Sequence, residues 1–203
     1  MRWLPLPIAV LVLSVICASS SATELGGDAM LTALKDGGYV IYLRHDRTDT
    51  SRSDTDPIDL NDCAKQRPLS DAGRIHARTI GLAFKAVGIP VDQVFASPVC
   101  RATETATLAF PDIKRTTPRA LVYTLALSKR ELGRAAEELR KMLAMPPRIG
   151  TNTVLVGHTT NLKEAAGLWP KHEGGALIFR PDGHGAFALA GSIDPADFER
   201  AAN

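Results

Sequence analysis

Tyr39-Val40-Ile41-Tyr42-Leu43-Arg44-His45 is an apolar run that stops at a cation and an imidazole. Its first five residues, rich in β-branched and aromatic types, read as a buried strand entered through Gly37-Gly38. Arg44 and His45 then emerge at the C-terminal end of that strand, where α/β sheets present their ligand sites.

The same design returns twice downstream. Thr153-Val154-Leu155-Val156-Gly157 is a second apolar run ending on His158, and Thr159-Thr160-Asn161 opens a helix behind it. A strand over Gln93 to Ala96 runs into Ser97-Pro98-Val99-Cys100-Arg101. There Ser97 is expected to cap a helix, Pro98 to occupy its first position and Arg101 to close its first turn. Free backbone N–H groups and the positive end of the helix dipole favour an anion at such a place. Arg101 adds a bidentate fork suited to phosphate or carboxylate oxygens.

Helical segments separate these strands. A short helix over Asp28 to Lys35 precedes the first. Ser70 caps a longer one whose expected apolar face is Ile75, Thr79, Leu82, Ala83 and Ala86, ended by Gly88 and Pro90. Ser128-Lys129-Arg130-Glu131 is a capping box, and Leu132, Ala135, Ala136, Leu139 and Leu143 follow at helical spacing up to Pro146-Pro147. Further strands are expected over Ala120 to Tyr123, Ala176 to Phe179 and Ala186 to Ala190, the last two joined by an Asp182-Gly183 turn, with a terminal helix over Pro195 to Ala202. Alternating strands and helices predict a single three-layer α/β/α domain with a mostly parallel central sheet, spanning 23–203. One stretch has no period: Asp46 to Asp62 carries six aspartates and Pro57, and reads as a long polar loop at the rim of the site. An EF-hand does not fit it, because Asp59 stands where the tight-turn glycine is required.

Composition narrows the class. With 24 basic and 22 acidic residues, the net charge of +2 is too small and too dispersed for a nucleic-acid partner, so any cationic site is local. Arg2, the apolar segment Leu4 to Ile16 and Ser20-Ser21-Ala22 form an export signal over residues 1–22, which predicts a periplasmic or secreted protein. The 13 residues of its apolar segment fall short of the roughly 20 needed to span a bilayer, so no stable membrane insertion is expected after cleavage. Lipidation of Cys17 is disfavoured by the bulky Ile16 before it. The two cysteines of the mature chain, Cys63 and Cys100, meet an oxidising compartment and are expected to form a disulfide. Neither has an arginine at the spacing of a cysteine-phosphatase loop, and no Walker loop, dinucleotide fingerprint or zinc spacing occurs.

Four motifs stand in order: Leu43-Arg44-His45; Leu69-Ser70-Asp71-Ala72-Gly73-Arg74; Ala96-Ser97-Pro98 with Arg101-Ala102 and Thr105-Ala106; and Val156-Gly157-His158. Together they resemble the histidine phosphatase superfamily, in its phosphoglycerate-mutase-like branch, and a compact exported member more than the glycolytic mutases. The resemblance implies that His45 is a nucleophile that takes the phosphoryl group while Arg44, Arg101 and His158 bind its oxygens. It implies a small phosphorylated substrate and neither metal nor cofactor. A phosphomutase of the same fold, or a phosphate- or phosphosugar-binding protein without turnover, are the alternatives. Two positions depart from the family pattern. Asp46 stands where many members have glycine, and no acidic residue follows Tyr123 at the usual place of a proton donor. Asp46 and Glu173 are the candidate donors, whereas Glu131 is explained by its capping role.

Overall fold

The computed structural model describes residues 24–203. The expected leader, with Cys17 in it, lies outside the described residues. In chain order the elements are β1 (Leu25–Gly26), α1 (Gly27–Ala33), β2 (Val40–Arg44), α2 (Asp71–Val87), β3 (Val91–Ala96), α3 (Cys100–Ala109), β4 (Arg115–Thr116), α4 (Lys129–Leu143), β5 (Asn152–Gly157), α5 (Thr159–Ala166), β6 (Ala176–Pro181), β7 (Phe187–Ile193) and α6 (Pro195–Ala201). The strands form one sheet in the order β1-β7-β6-β2-β5-β3-β4. Pairing is parallel except where β6 meets β2 and β7, so the expected three-layer, mostly parallel architecture is present.

The apolar run at β2 is continuous because both faces of the sheet are covered. Tyr39, Ile41 and Leu43 pack into one cluster with Leu34, Ile80, Phe84, Val94, Val156 and Phe198. Val40 and Tyr42 point the other way, into a cluster with Leu121, Leu139, Leu143, Leu155 and Leu162. Period-two alternation thus sends α1, α2, α3 and α6 to one layer and α4 and α5 to the other. Among the described residues no helix is long and apolar enough to cross a membrane.

Three expectations are corrected. The inward face of α2 is His76, Ala77, Ile80, Ala83 and Phe84, while Ile75 and Leu82 are 66% and 56% exposed. That face packs on α3 and α6, most closely at Gly81, where a Cβ would lie 2.2 Å from the Ala109 carbonyl oxygen, and Ile75 and Leu82 are left on the outside. Ala120 to Tyr123 is no strand. Residues Arg119–Leu121 form a 3₁₀ turn, and the edge pairing is made earlier, by Arg115–Thr116. Finally, α3 begins at Cys100 rather than Pro98, with Val99 at its cap, which moves Arg101 from the end of the first turn to its second position.

Cys63 and Cys100 are disulfide-bonded, with their Cα atoms 5.7 Å apart. The bridge ties the end of the aperiodic loop to the first residue of α3. Gln66, fully buried, adds a second tie: its Oε1 accepts from the Cys100 amide at 2.8 Å and its Nε2 donates to the Asp59 carbonyl at 2.7 Å. Loop and helix start are therefore one packed unit.

Candidate active site

Three neighbouring parallel strands, β2, β5 and β3, end at one level. Arg44 pairs with Gly157, the His45 amide donates to the Gly157 carbonyl at 3.0 Å, and the Ser97 amide donates to Val156 at 2.9 Å. His45, His158 and Ser97 consequently leave the sheet side by side. Tyr42 supports them from beneath, its hydroxyl donating to the His158 carbonyl at 2.8 Å. Burial raises the pKa of that hydroxyl, so it remains a donor. Gly157 makes the contact possible, because a Cβ there would lie 2.3 Å from the Tyr42 oxygen.

His45 is 4% exposed, and its Nδ1 lies 2.9 Å from the Asp46 carbonyl oxygen. A carbonyl only accepts, so Nδ1 carries the proton and Nε2 presents a lone pair. Burial drives the His45 pKa down to about 3; the Asp46 carbonyl opposes this, and Arg101, Arg44 and Arg67 reinforce it. The ring is neutral near pH 7, the state a nitrogen nucleophile needs.

His158 stands 5.1 Å from His45, ring centre to ring centre, in an edge-on arrangement. Its Nε2 is 2.9 Å from the Ser97 hydroxyl, which accepts from the Val99 amide at 3.3 Å. The hydroxyl proton has no other acceptor among the described residues, so it points to Nε2 and leaves the ring proton on Nδ1. That Nδ1 is buried without a hydrogen-bond partner. Burial, then His45 and the three arginines, hold the His158 pKa well below the usual imidazole range. It is a neutral donor.

Three guanidinium groups act on both rings. Arg101, 1% exposed, donates through one nitrogen to both Asp54 carboxylate oxygens at 2.9 and 3.2 Å. Its guanidinium carbon sits 5.2 Å from the Tyr123 ring centre, and Tyr123 in turn lies 4.5 Å from His158. Arg44 donates to the Lys171 carbonyl at 3.0 Å and to Glu173 at 3.4 Å. Arg67 has no carboxylate partner among the described residues. The Nε of each arginine is buried and unpartnered. Buried polar nitrogens are almost always satisfied, so three Nε–H groups and the His158 Nδ1–H without partners mark a place built for an acceptor-rich ligand.

The candidate proton donors part company. Asp46 is fully buried and turned to His76, whose Nδ1 is 2.6 Å from its Oδ2. Glu173 reaches Arg44, accepts from the Thr48 amide and hydroxyl at 3.3 Å each, and lines a cleft with Arg44, Arg47, Lys171, His172 and Pro195. Glu131 stays with Ser128 and Arg119, at 2.7 and 2.6 Å, in its capping role.

No protein-family model and no curated protein matches the chain. Solved structures do. It is similar to the protein histidine phosphatase SixA complexed with tungstate at 15% identity, with 78% of this chain and 98% of that one covered and a TM-score of 0.56. A phosphoserine phosphatase mutant from Entamoeba histolytica, in complex with phosphoserine, is similar at 13% identity, with 78% and 98% covered and a TM-score of 0.54. A mycobacterial glucosyl-3-phosphoglycerate phosphatase in complex with inorganic phosphate gives 15%, with 75% and 95% covered and a TM-score of 0.54. The chain has the histidine phosphatase fold.

Within that fold, sequence reasoning placed Arg44, His45, Arg101 and His158 and missed five neighbours. Arg67 follows the aperiodic loop and offers only one signal, its position in Gln66-Arg67-Pro68-Leu69 just ahead of the second motif. Asp54 is one aspartate among six, Tyr123 was assigned to a strand, and Ser97 to a cap. His76 was passed over as a helix residue. None of these contacts is local in sequence.

Proposed function

We propose that this chain is an exported histidine phosphatase that hydrolyses a phosphomonoester or related phosphorylated compound through a phosphohistidine on His45. One observation carries the reading: His45, with a free Nε2 lone pair, shares its burial site with four unpartnered donors, Arg44 Nε, Arg67 Nε, Arg101 Nε and His158 Nδ1. A tetrahedral oxyanion supplies the acceptors that these groups lack. Fixed donors in a water-poor site stabilise charge on the phosphoryl oxygens without reorganising during the reaction.

In the first step the Nε2 lone pair of His45 forms a bond to phosphorus as the phosphorus–oxygen bond to the leaving group breaks. The Asp46 carbonyl, already accepting from Nδ1, holds the ring as it becomes positive. The leaving oxygen takes its proton from water, since the Glu173 carboxylate is already engaged by Arg44 and by the Thr48 amide and hydroxyl. In the second step water attacks phosphorus, the nitrogen–phosphorus bond breaks, and phosphate and neutral His45 are regenerated. Arg44 and Arg101 each have a carboxylate partner, whereas Arg67 does not, so the pocket keeps about one net positive charge for the incoming anion. The leader pattern and the Cys63–Cys100 bridge support export.

Rapid quench of the purified mature protein with labelled substrate tests the reaction. Phosphate release from p-nitrophenyl phosphate, with an acid-labile, alkali-stable label on the peptide containing His45, is expected. Label on another residue would overturn the mechanism. Tight phosphate binding without turnover on a panel of phosphorylated metabolites would point to a binding protein instead.

A further inference from the structure

Directly behind the nucleophile lies a buried pair that the chemistry above does not use. Every polar atom of Asp46 is engaged. Its amide donates to Thr105 Oγ1 at 3.0 Å, its carbonyl accepts from His45 Nδ1 at 2.9 Å, its Oδ1 accepts from the Arg47 amide at 2.7 Å, and its Oδ2 meets His76 Nδ1 at 2.6 Å. His76, 3% exposed on α2, places its other nitrogen 3.2 Å from the Pro195 carbonyl on α6. Both His76 nitrogens thus face acceptors, and only the imidazolium carries a proton on each. The backbone is built around this contact. Gly174, at φ +77°, donates its amide to the Arg44 and His45 carbonyls, and a Cβ on it would lie 2.7 Å from His76 Nδ1 and 3.0 Å from Asp46 Oδ2.

Resting on the phosphohistidine reading, we infer that Asp46 and His76 form a charged clamp that positions His45: the His76 imidazolium holds the Asp46 side chain, which aims the Asp46 carbonyl at His45 Nδ1 and so keeps Nε2 in line with phosphorus. Both are positioning residues, since neither touches the reacting atoms. The device sits where many histidine phosphatases have a glycine, which has no side chain to clamp.

The charges around His76 set the direction of its pH response. Asp46 faces it from the loop after β2, with Arg47 beside it. From α6 come the neutral Pro195 carbonyl and the Phe198 ring, with Glu199 paired to Arg47 at 3.4 Å. The turn before β6 contributes Gly174, while its neighbour Glu173 is engaged with Arg44 and Thr48. Thr105 of α3 is uncharged. Burial opposes the imidazolium, Arg47 opposes it weakly, and the hydrogen bond and charge of Asp46 with the Pro195 carbonyl outweigh both, leaving the His76 pKa above its ordinary value. A raised value means that the clamp is intact below the unfolded-state pKa of about 6.5 and is lost as pH rises through the folded-state pKa. The turnover rate should therefore carry an alkaline limb, with the Michaelis constant nearly constant across it.

Nitrogen NMR of the histidine rings, with a pH–rate profile, tests this in the whole mature protein. Expected are a doubly protonated His76 near neutral pH, and His45 ring signals that change at the pH where His76 loses its proton. In Asp46→Asn and His76→Gln the turnover rate should fall about 10- to 100-fold with little change in the Michaelis constant, the scale of a misaimed reacting group. The alkaline limb should move down in the first and vanish in the second. A neutral His76 at pH 6, or His45 signals indifferent to the His76 titration in the wild-type protein, would overturn the clamp even if both variants fail to fold. Variants that lose only thermal stability and keep the wild-type pH profile would overturn it too. The NMR arm needs no turnover, so absence of phosphatase activity with the ring coupling present would remove the proposed reaction and leave the clamp standing.

Discussion

His45 and His158 leave neighbouring parallel strands at one level of the sheet, and their rings nearly touch, yet opposite nitrogens are tied down. A carbonyl holds Nδ1 of His45, which forces the proton there and frees a lone pair at Nε2. A hydroxyl holds Nε2 of His158 and leaves a proton on Nδ1. One ring presents a lone pair and the other a proton. The partner behind each ring, rather than its strand, sets what it can do.

The contrast breaks most visibly in the alanine variants. His45→Ala should lower turnover by about ten-thousandfold or more and abolish the phosphoenzyme, because no other group supplies the attacking lone pair. His158→Ala should still be labelled on His45, more slowly. Rapid quench of both variants checks this, and label remaining in His45→Ala would erase the distinction.

Arg101 serves both rings and sharpens the comparison at its shared edge. Lysine keeps its charge but loses the planar fork that reaches Asp54 and Tyr123 and, in the proposed reaction, the phosphoryl oxygens. Arg101→Lys should cost about 2 to 4 kcal/mol in the transition state. Steady-state kinetics reads the loss, and an unchanged kcat/KM would place Arg101 outside the phosphate site.

The smallest expected effect isolates the His158 side. Ser97→Ala removes the hydroxyl that assigns the proton, leaving a buried ring nitrogen unpaired at a cost of about 1 to 3 kcal/mol. Nitrogen NMR should show His158 moving to a mixture of tautomers while His45 keeps its proton on Nδ1. Equal disturbance of both rings would mean that the two assignments are not independent.

Much of this arrangement could be read along the chain. Two of the three strands that carry the site, β2 and β5, are apolar runs with a histidine just past the end, a pattern local enough to survive without tertiary information. The Cys63–Cys100 pairing was likewise legible, since two cysteines follow the expected leader and there is one way to join them. Other features were not. The inward face of α2 was misjudged because its apolar residues lie on more than one side of the helix, and only the packing against α3 and α6 selects Ile80 and Phe84 over Ile75 and Leu82. Asp46 reads along the chain as a candidate proton donor, and only the fold sets His76, thirty residues later, beside it.

The sequence by itself determined the layers and the strand ends that carry Arg44, His45 and His158, because hydrophobic period and strand termination depend on neighbours a few positions away. Only the tertiary structure decided the protonation of the two histidines, the entry of Arg67, the pairing of Arg101 with Asp54 and the clamp on Asp46. Those properties belong to contacts between distant segments in a buried, low-dielectric setting, where a hydrogen bond 3 Å long determines which nitrogen carries a proton and sequence distance has no bearing.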